Sequence, residues 1–282
     1  MKIATVQFSP ALKDVDASVG RAIPLAEEAI DQGAELLILP ELADTGYDLG
    51  SRGTALELGS SVDENPLIQA LARTCAASDR HAVTGICERD GDRAYNSAVL
   101  IGPDGPMGRY RKIHLFMNEK DIFTPGDAPP MVLDAGPIRV GMLVCFDWMF
   151  PEVWRSLALD GADVVCHPSN LVLPYAQQAA LVHALVNRYY VATANRIGAE
   201  GELAFTGGSQ IAGPDGKPMT SSPAGEPHVA SAEIRIRESR NKAITPRNDA
   251  IADRRPELYG KMVEAPVSRD RSTEGGPGGE DR

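Results

Sequence analysis

Two rhythms of apolar and polar positions alternate along the first 240 residues. Short runs rich in Val and Ile predict strands with a buried face at Lys2–Phe8, Glu35–Leu39, Ala82–Glu88, Asn96–Ile101, Ile138–Val144, Asp163–Cys166, Val191–Ala194, Ser209–Ala212 and Val229–Arg235. Between several of them apolar residues recur at three- and four-residue steps, the spacing of one helix face, over Ala17–Gln32, Pro66–Ser78, Pro151–Leu159 and Tyr175–Arg188. Pro24 sits inside the first of these helices. Because a proline ring removes a backbone donor and crowds the preceding turn, a kink or a later start is predicted there. Pro103-Asp104-Gly105 and Pro214-Asp215-Gly216 mark turns between strands. No linker interrupts the alternation, which predicts an α/β fold and one domain over residues 1–260. Residues 261–282 form a C-terminal extension. From Ser268 onward it is so polar that burial cannot offset the entropy of ordering it, and a mobile tail is expected.

Composition narrows the classes of function. The chain has 282 residues, 43% of them hydrophobic, with a formal net charge of -11 at pH 7. An excess of acidic groups repels phosphate backbones and anionic lipid, so neither nucleic acid nor a membrane is an expected partner. No basic and apolar leader precedes the first strand and no long uncharged apolar run occurs, so a cytoplasmic location is expected. Cys75, Cys87, Cys145 and Cys166 form no C-x-x-C pair and read as free thiols. The five histidines are isolated, and no glycine-rich phosphate loop follows a strand. The expectation is therefore an enzyme without metal or cofactor, if it is an enzyme at all.

Chemistry concentrates at strand ends. Cys145 follows a predicted strand, and Pro151 stands where a helix would begin, so the thiol falls at a strand-to-helix turn. Backbone N–H groups and a nearby helix N-terminus would favour a thiolate there. A small buried hydrophobe is the other fate of such a cysteine. Cys166 also ends a strand, but its neighbour His167 projects from the opposite face, so those two cannot pair directly. Glu41 lies just beyond the apolar run AELLILP, where burial suits a carboxyl to proton shuttling. Lys112 lies in GRYRKIHLF, where a fixed ammonium can hold a thiolate and an oxyanion. Taken singly, each of these two also fits an ordinary solvated edge charge.

Together, LPELADTGY, YRKIHLF and CFDWMFPE stand in the chain order of three signature segments of the nitrilase (carbon-nitrogen hydrolase) superfamily, which the sequence resembles. YNSAVLIGPDG, EKDIFTPGD, GADVVCHPSN, NRYYVATANRIG and NDAIADRRPELY extend the resemblance over residues 1 to about 260. It implies a four-layer α-β-β-α sandwich. It further implies Cys145 as nucleophile, Glu41 as general base and acid, Lys112 as oxyanion-stabilising cation and Glu119 as a second glutamate that orients substrate and water. The expected activity is hydrolysis of a non-peptide C–N bond in a small amide through a Cys145 thioester, with the Phe146 backbone N–H as a further oxyanion donor.

Tyr47, Phe146, Trp148 and Asn170 are the candidate pocket walls, although Phe146 and Trp148 also suit a core turn. Glu152 suits either a helix cap or a substrate contact. A nitrile or an N-carbamoyl compound fits the same residues, a catalytically silent binding protein remains a reading of another class, and a Cys–His enzyme using His114 or His167 is a further alternative. The resemblance also implies a homodimer or larger even-numbered homo-oligomer. Its interface would be formed by the two helices after Cys145, with Asn248–Tyr259 crossing to the partner.

Overall fold

The computed structural model describes residues 1–264. β1 (Lys2–Gln7), β2 (Leu36–Ile38), β3 (His81–Asp90), β4 (Arg93–Gly102) and β5 (Gly105–Arg111) build most of one sheet. β6 (Val132–Ala135), β7 (Ile138–Met142), β8 (Val164–Ser169) and β9 (Tyr190–Asn195) begin a second. A short hairpin, β10 (Ala199–Glu200) and β11 (Leu203–Ala204), precedes β12 (Gln210–Ala212) and β13 (Pro218–Ser221). The chain then returns to the edge of the first sheet as β14 (His228–Glu233). Across the sheets the orders are β14-β1-β2-β3-β4-β5 and β13-β12-β9-β8-β7-β6. Each has a parallel centre, β1-β2-β3 in one and β7-β8-β9 in the other, flanked by antiparallel edges.

Side-chain alternation explains how the sheets stack. In β1, Ile3 joins Leu36, Ile38, Val83 and Leu100 in a core shared with Val140, Met142, Val164, Cys166, Ala192 and Ile211 of the other sheet. The neighbouring positions Ala4 and Val6 face outward with Leu37, Val99 and Ile101 onto α1 (Val15–Asp31) and α3 (Pro66–Ser78). On the far side, α5 (Pro151–Leu159) and α6 (Ala176–Asn187) cover the second sheet through Trp154, Leu157, Ala180 and Ala184. The result is a helix-sheet-sheet-helix sandwich, the architecture expected. Burying both faces of each sheet accounts for strands that read as near-continuous apolar runs.

The differences from the sequence reading have local causes. α1 starts at Val15, two residues earlier than expected, because the Asp14 side chain caps it by accepting from Ala17 N at 3.0 Å. Pro24 neither breaks nor delays the helix: it is exposed, while Ser18, Ala22, Ala26 and Ala29 anchor the opposite face. β5, β6 and β13 escaped the pattern because they lie towards the edges and bury little: in β5 only Tyr110 is buried. Two further helices matter for the site, α2 (Arg52–Leu58) and the single turn α4 (Glu119–Ile122). The tail expected to be mobile from about residue 268 lies outside the described residues.

Candidate active site

Three strand ends deliver the charged groups to one place. Beyond β2 the chain turns at Pro40 and Glu41 against Gly85 of β3, where a side chain on Gly85 would stand 2.4 Å from the Glu41 Cα. Glycine is needed there by close approach, and it lets the Glu41 turn lie on the sheet. Glu41 is fully buried. Its Oε1 accepts from Lys112 Nζ at 2.8 Å and Asn96 Nδ2 at 2.7 Å, whereas its Oε2 has no partner among the described residues. Lys112 follows β5, and its backbone N–H still donates to Asn96 O at 2.8 Å, so the strand register aims the ammonium inward. The same Nζ donates to Glu119 Oε1 at 2.8 Å. Glu119, at the start of α4, also receives the Tyr47 hydroxyl at 2.8 Å and the Phe116 N–H at 3.1 Å.

Cys145 stands just past β7 with φ at +43°, the left-handed region that side chains seldom adopt. It opens a 3₁₀ turn, Cys145–Met149, that intervenes between the strand and α5. Asp147 holds this turn. Its Oδ2 accepts from Val144 N and from the Tyr110 hydroxyl, both at 2.9 Å, while its Oδ1 lies 2.7 Å from His114 Nδ1. Its backbone oxygen accepts from Trp154 Nε1 at 2.9 Å. From β8, His167 Nε2 lies 2.8 Å from the Cys145 carbonyl oxygen. A carbonyl can only accept, so Nε2 carries the proton, and His167 supports the Cys145 backbone rather than its thiol. Neither histidine of the Cys–His alternative is therefore poised to deprotonate the sulfur.

Electrostatics set the resting protonation states. Burial pushes the Cys145 thiol well above its ordinary range, with the Glu41 carboxylate adding to the rise and Lys112 opposing it. Removal from water thus outweighs the Lys112 cation at the sulfur. Burial alone would depress Lys112, but the Glu119 and Glu41 carboxylates reverse this and hold it charged. Glu119 is itself raised, first by burial and also by Glu41, against the pull of Lys112. Burial and the Glu119 charge raise the Tyr47 phenol, which remains a neutral donor. His167 is lowered to about 4 by burial and stays neutral at pH 7.

A narrow pocket reaches Cys145 between Phe116, Phe146, Trp148, Asn170 and the stretch Leu171–Leu173. Phe146, Trp148 and Asn170 thus stand where the sequence reading put them, and Trp148 belongs to the core as well. Tyr47 lines a second compartment with Asp48, Glu119 and Leu203, and the two compartments share Phe116 and Val172. Asn170 donates from Nδ2 to the Glu41 carbonyl at 3.0 Å, and its backbone N–H points to the Cys145 sulfur. Glu152 is exposed in the first turn of α5 and lines neither compartment. Cys166 is sealed in the core between the sheets. Sequence reasoning missed Asn96, Asp147 and Glu200. The last is buried, pairs with Arg196, and accepts from the backbone N–H groups of Tyr47 and Asp48 at 2.9 and 2.8 Å. The only available signal was two opposite charges four residues apart beyond an apolar strand.

A family model described as carbon-nitrogen hydrolase matches residues 2–242. The chain belongs to the carbon-nitrogen hydrolase family. It is an enzyme of that class, similar to a protein named nitrilase from Pyrococcus abyssi, 44% identical over 92% of this chain and 99% of the relative. An (R)-stereoselective amidase from Pseudomonas sp is 32% identical over 95% of this hydrolase and 97% of its own length. Among solved structures, a mutant amidase from Nesterenkonia sp. AN1 superposes with a TM-score of 0.81 at 27% identity, covering 93% of the hydrolase and all of that chain. Among the described residues no helix is long and apolar enough to cross a membrane.

Proposed function

We propose that this hydrolase cleaves the C–N bond of a small amide, releasing ammonia and a carboxylic acid through a thioester on Cys145. The observation that carries the reading is the asymmetry of Glu41. One carboxyl oxygen is fastened by Lys112 and Asn96, and the other is buried without a partner among the described residues, in a site where Glu41, Lys112 and Glu119 all act on the Cys145 sulfur. A buried acceptor left unsatisfied is costly and points to a proton that arrives during the reaction. Glu41 takes the Cys145 proton as the sulfur attacks the carbonyl carbon, then returns it to the departing nitrogen, since an amide anion is too poor a leaving group to go alone. As a carboxylate again, it deprotonates the water that hydrolyses the thioester. Lys112 and the Phe146 N–H receive the oxyanion, and losing one such donor costs about 3 kcal/mol, on the order of a hundredfold in rate. Glu119, held by Tyr47, keeps Lys112 in place and orients substrate and water. The amidase of Nesterenkonia sp. AN1, with adducts of acrylamide and of the acetamide moiety of fluoroacetamide at its active site cysteine, supports this reading.

Intact mass spectrometry during turnover of simple amides tests it. An acyl adduct on Cys145 is expected, absent in Cys145→Ala along with ammonia release. Amide hydrolysis undiminished in that variant would refute the scheme. A nitrile substrate is the second reading, favoured by the relative named nitrilase. It would pass through a thioimidate and show as ammonia release from nitriles faster than from the matching amides. We further propose that residues 1–260 act as one unit and pair as a homodimer or larger even-numbered assembly through α5 and α6. The exposure of Val182, Leu185 and Val186 on α6 supports that interface. Arg155 Nη1 donates to Ala250 O at 3.2 Å, holding the start of Asn248–Tyr259 on its own α5. Light scattering showing only monomers at micromolar concentration would count against the assembly.

A further inference from the structure

The charge inventory of the two compartments goes further than apolarity. The one that reaches Cys145 is lined by Phe116, Phe146, Trp148 and Leu171–Leu173, with Asn170 and the indole of Trp148 carrying its polar side-chain groups besides the thiol. The adjoining one adds Asp48 and Glu119. Among the described residues no Lys, Arg or His lines either. The site's cation, Lys112, is already shared between two carboxylates at 2.8 Å each. Resting on the amidase reading, we propose that the substrate is an amide whose acyl group carries no carboxylate, and that the pocket rejects acyl carboxylates by charge rather than by size.

The physical reason is desolvation without compensation. An acyl carboxylate drawn in beside Cys145 leaves water for aromatic and aliphatic walls and meets no Lys, Arg or His among the described residues that line them. It also approaches Glu41, Glu119 and Asp48, whose carboxylates repel it wherever they are ionised. A branched alkyl group of the same shape leaves water favourably instead. Sites that leave a buried polar group unpaired discriminate far more strongly than sites that merely gain or lose a methylene.

The test compares 4-methylpentanamide with succinamate, which replaces the terminal isopropyl group by a carboxylate of similar size. With the full chain at pH 7.5, kcat/KM from ammonia release is expected to favour the neutral amide by at least about a hundredfold. In Leu173→Arg the ratio is expected to fall by about tenfold or more, because that position is 38% exposed at the pocket mouth and accepts a cation without loss of the fold. Succinamate within tenfold of the neutral amide, or a ratio unchanged in Leu173→Arg, overturns the proposal. Absence of both ammonia release and a Cys145 adduct with either amide overturns the amidase reading and this proposal together, whereas carboxylate acceptance leaves the former standing.

Discussion

Replacing Lys112 by methionine separates the two jobs of the buried ammonium. Nζ sits 2.8 Å from Oε1 of both Glu41 and Glu119, and all three side chains are at most 3% exposed. At an effective dielectric of about 20, each contact is worth about 6 kcal/mol of gross attraction, most of it offset by removing the ions from water. Deleting one partner forfeits the attraction and leaves the desolvation cost, so Lys112→Met should lose about 3–5 kcal/mol of stability at pH 8. The variant can relieve this by taking up protons. Glu119 already titrates above its ordinary range, and without the ammonium it must rise further. A carboxyl raised in the folded state contributes stability that is full below its unfolded value and lost as pH rises through the folded value. The deficit should therefore shrink as pH is lowered from 8 towards 5. Urea unfolding followed by tryptophan fluorescence at pH 8 and pH 5.5 measures it, and ammonia release from a simple amide should fall by about 10²–10³ from the lost oxyanion contact. A variant with the wild-type midpoint at pH 8, or a deficit that grows on acidification, would refute this electrostatic account.

Other perturbations address the supports of the site. Glu200→Gln weakens the buried pair with Arg196 and loosens Tyr47, so stability should drop by about 3 kcal/mol, with kcat falling more than KM changes, as thermal melts and steady-state kinetics would show. Gly85→Ala places a methyl group 2.4 Å from the Glu41 Cα, and overpacking of about 1–3 kcal/mol with a reduced kcat is expected, whereas a neutral result would mean the turn yields freely. His167, neutral when folded and lowered to about 4, contributes stability that is fully present above its unfolded value near 6.5 and lost as pH falls towards 4. In His167→Asn the fall in melting temperature over that window should be shallower than in the wild type.

The strands were legible because both sheets are buried on both faces, so β2, β7, β8 and β9 announce themselves as apolar runs, whereas their stacking in four layers came from the family resemblance. Exposed edge strands such as β5 carry no such pattern, although Lys112 depends on the β5 register for its aim. The acid, the cation and the thiol were legible as residue types at strand ends, and the family resemblance joined them. What no pattern revealed was the second rank of polar groups. Asp147, Asn96 and Glu200 act through contacts across 37, 55 and 153 residues of sequence. Such pairings depend on tertiary closure, which local periodicity does not encode. The rise of the Cys145 thiol was hidden for a related reason: proximity to a helix start is visible in sequence, but complete enclosure is not.

The left-handed backbone at Cys145 has a longer-range meaning. That angle is held from outside, by the carboxylate of Asp147 gripping the Val144 N–H and by the imidazole of His167 gripping the carbonyl of Cys145 itself. The sulfur itself contributes nothing to the bend, and glycine would occupy it with less strain. Under the proposed mechanism, loss of the thiol would end the chemistry without dismantling the cleft, so a descendant of this scaffold could fall silent as an enzyme while keeping its pocket.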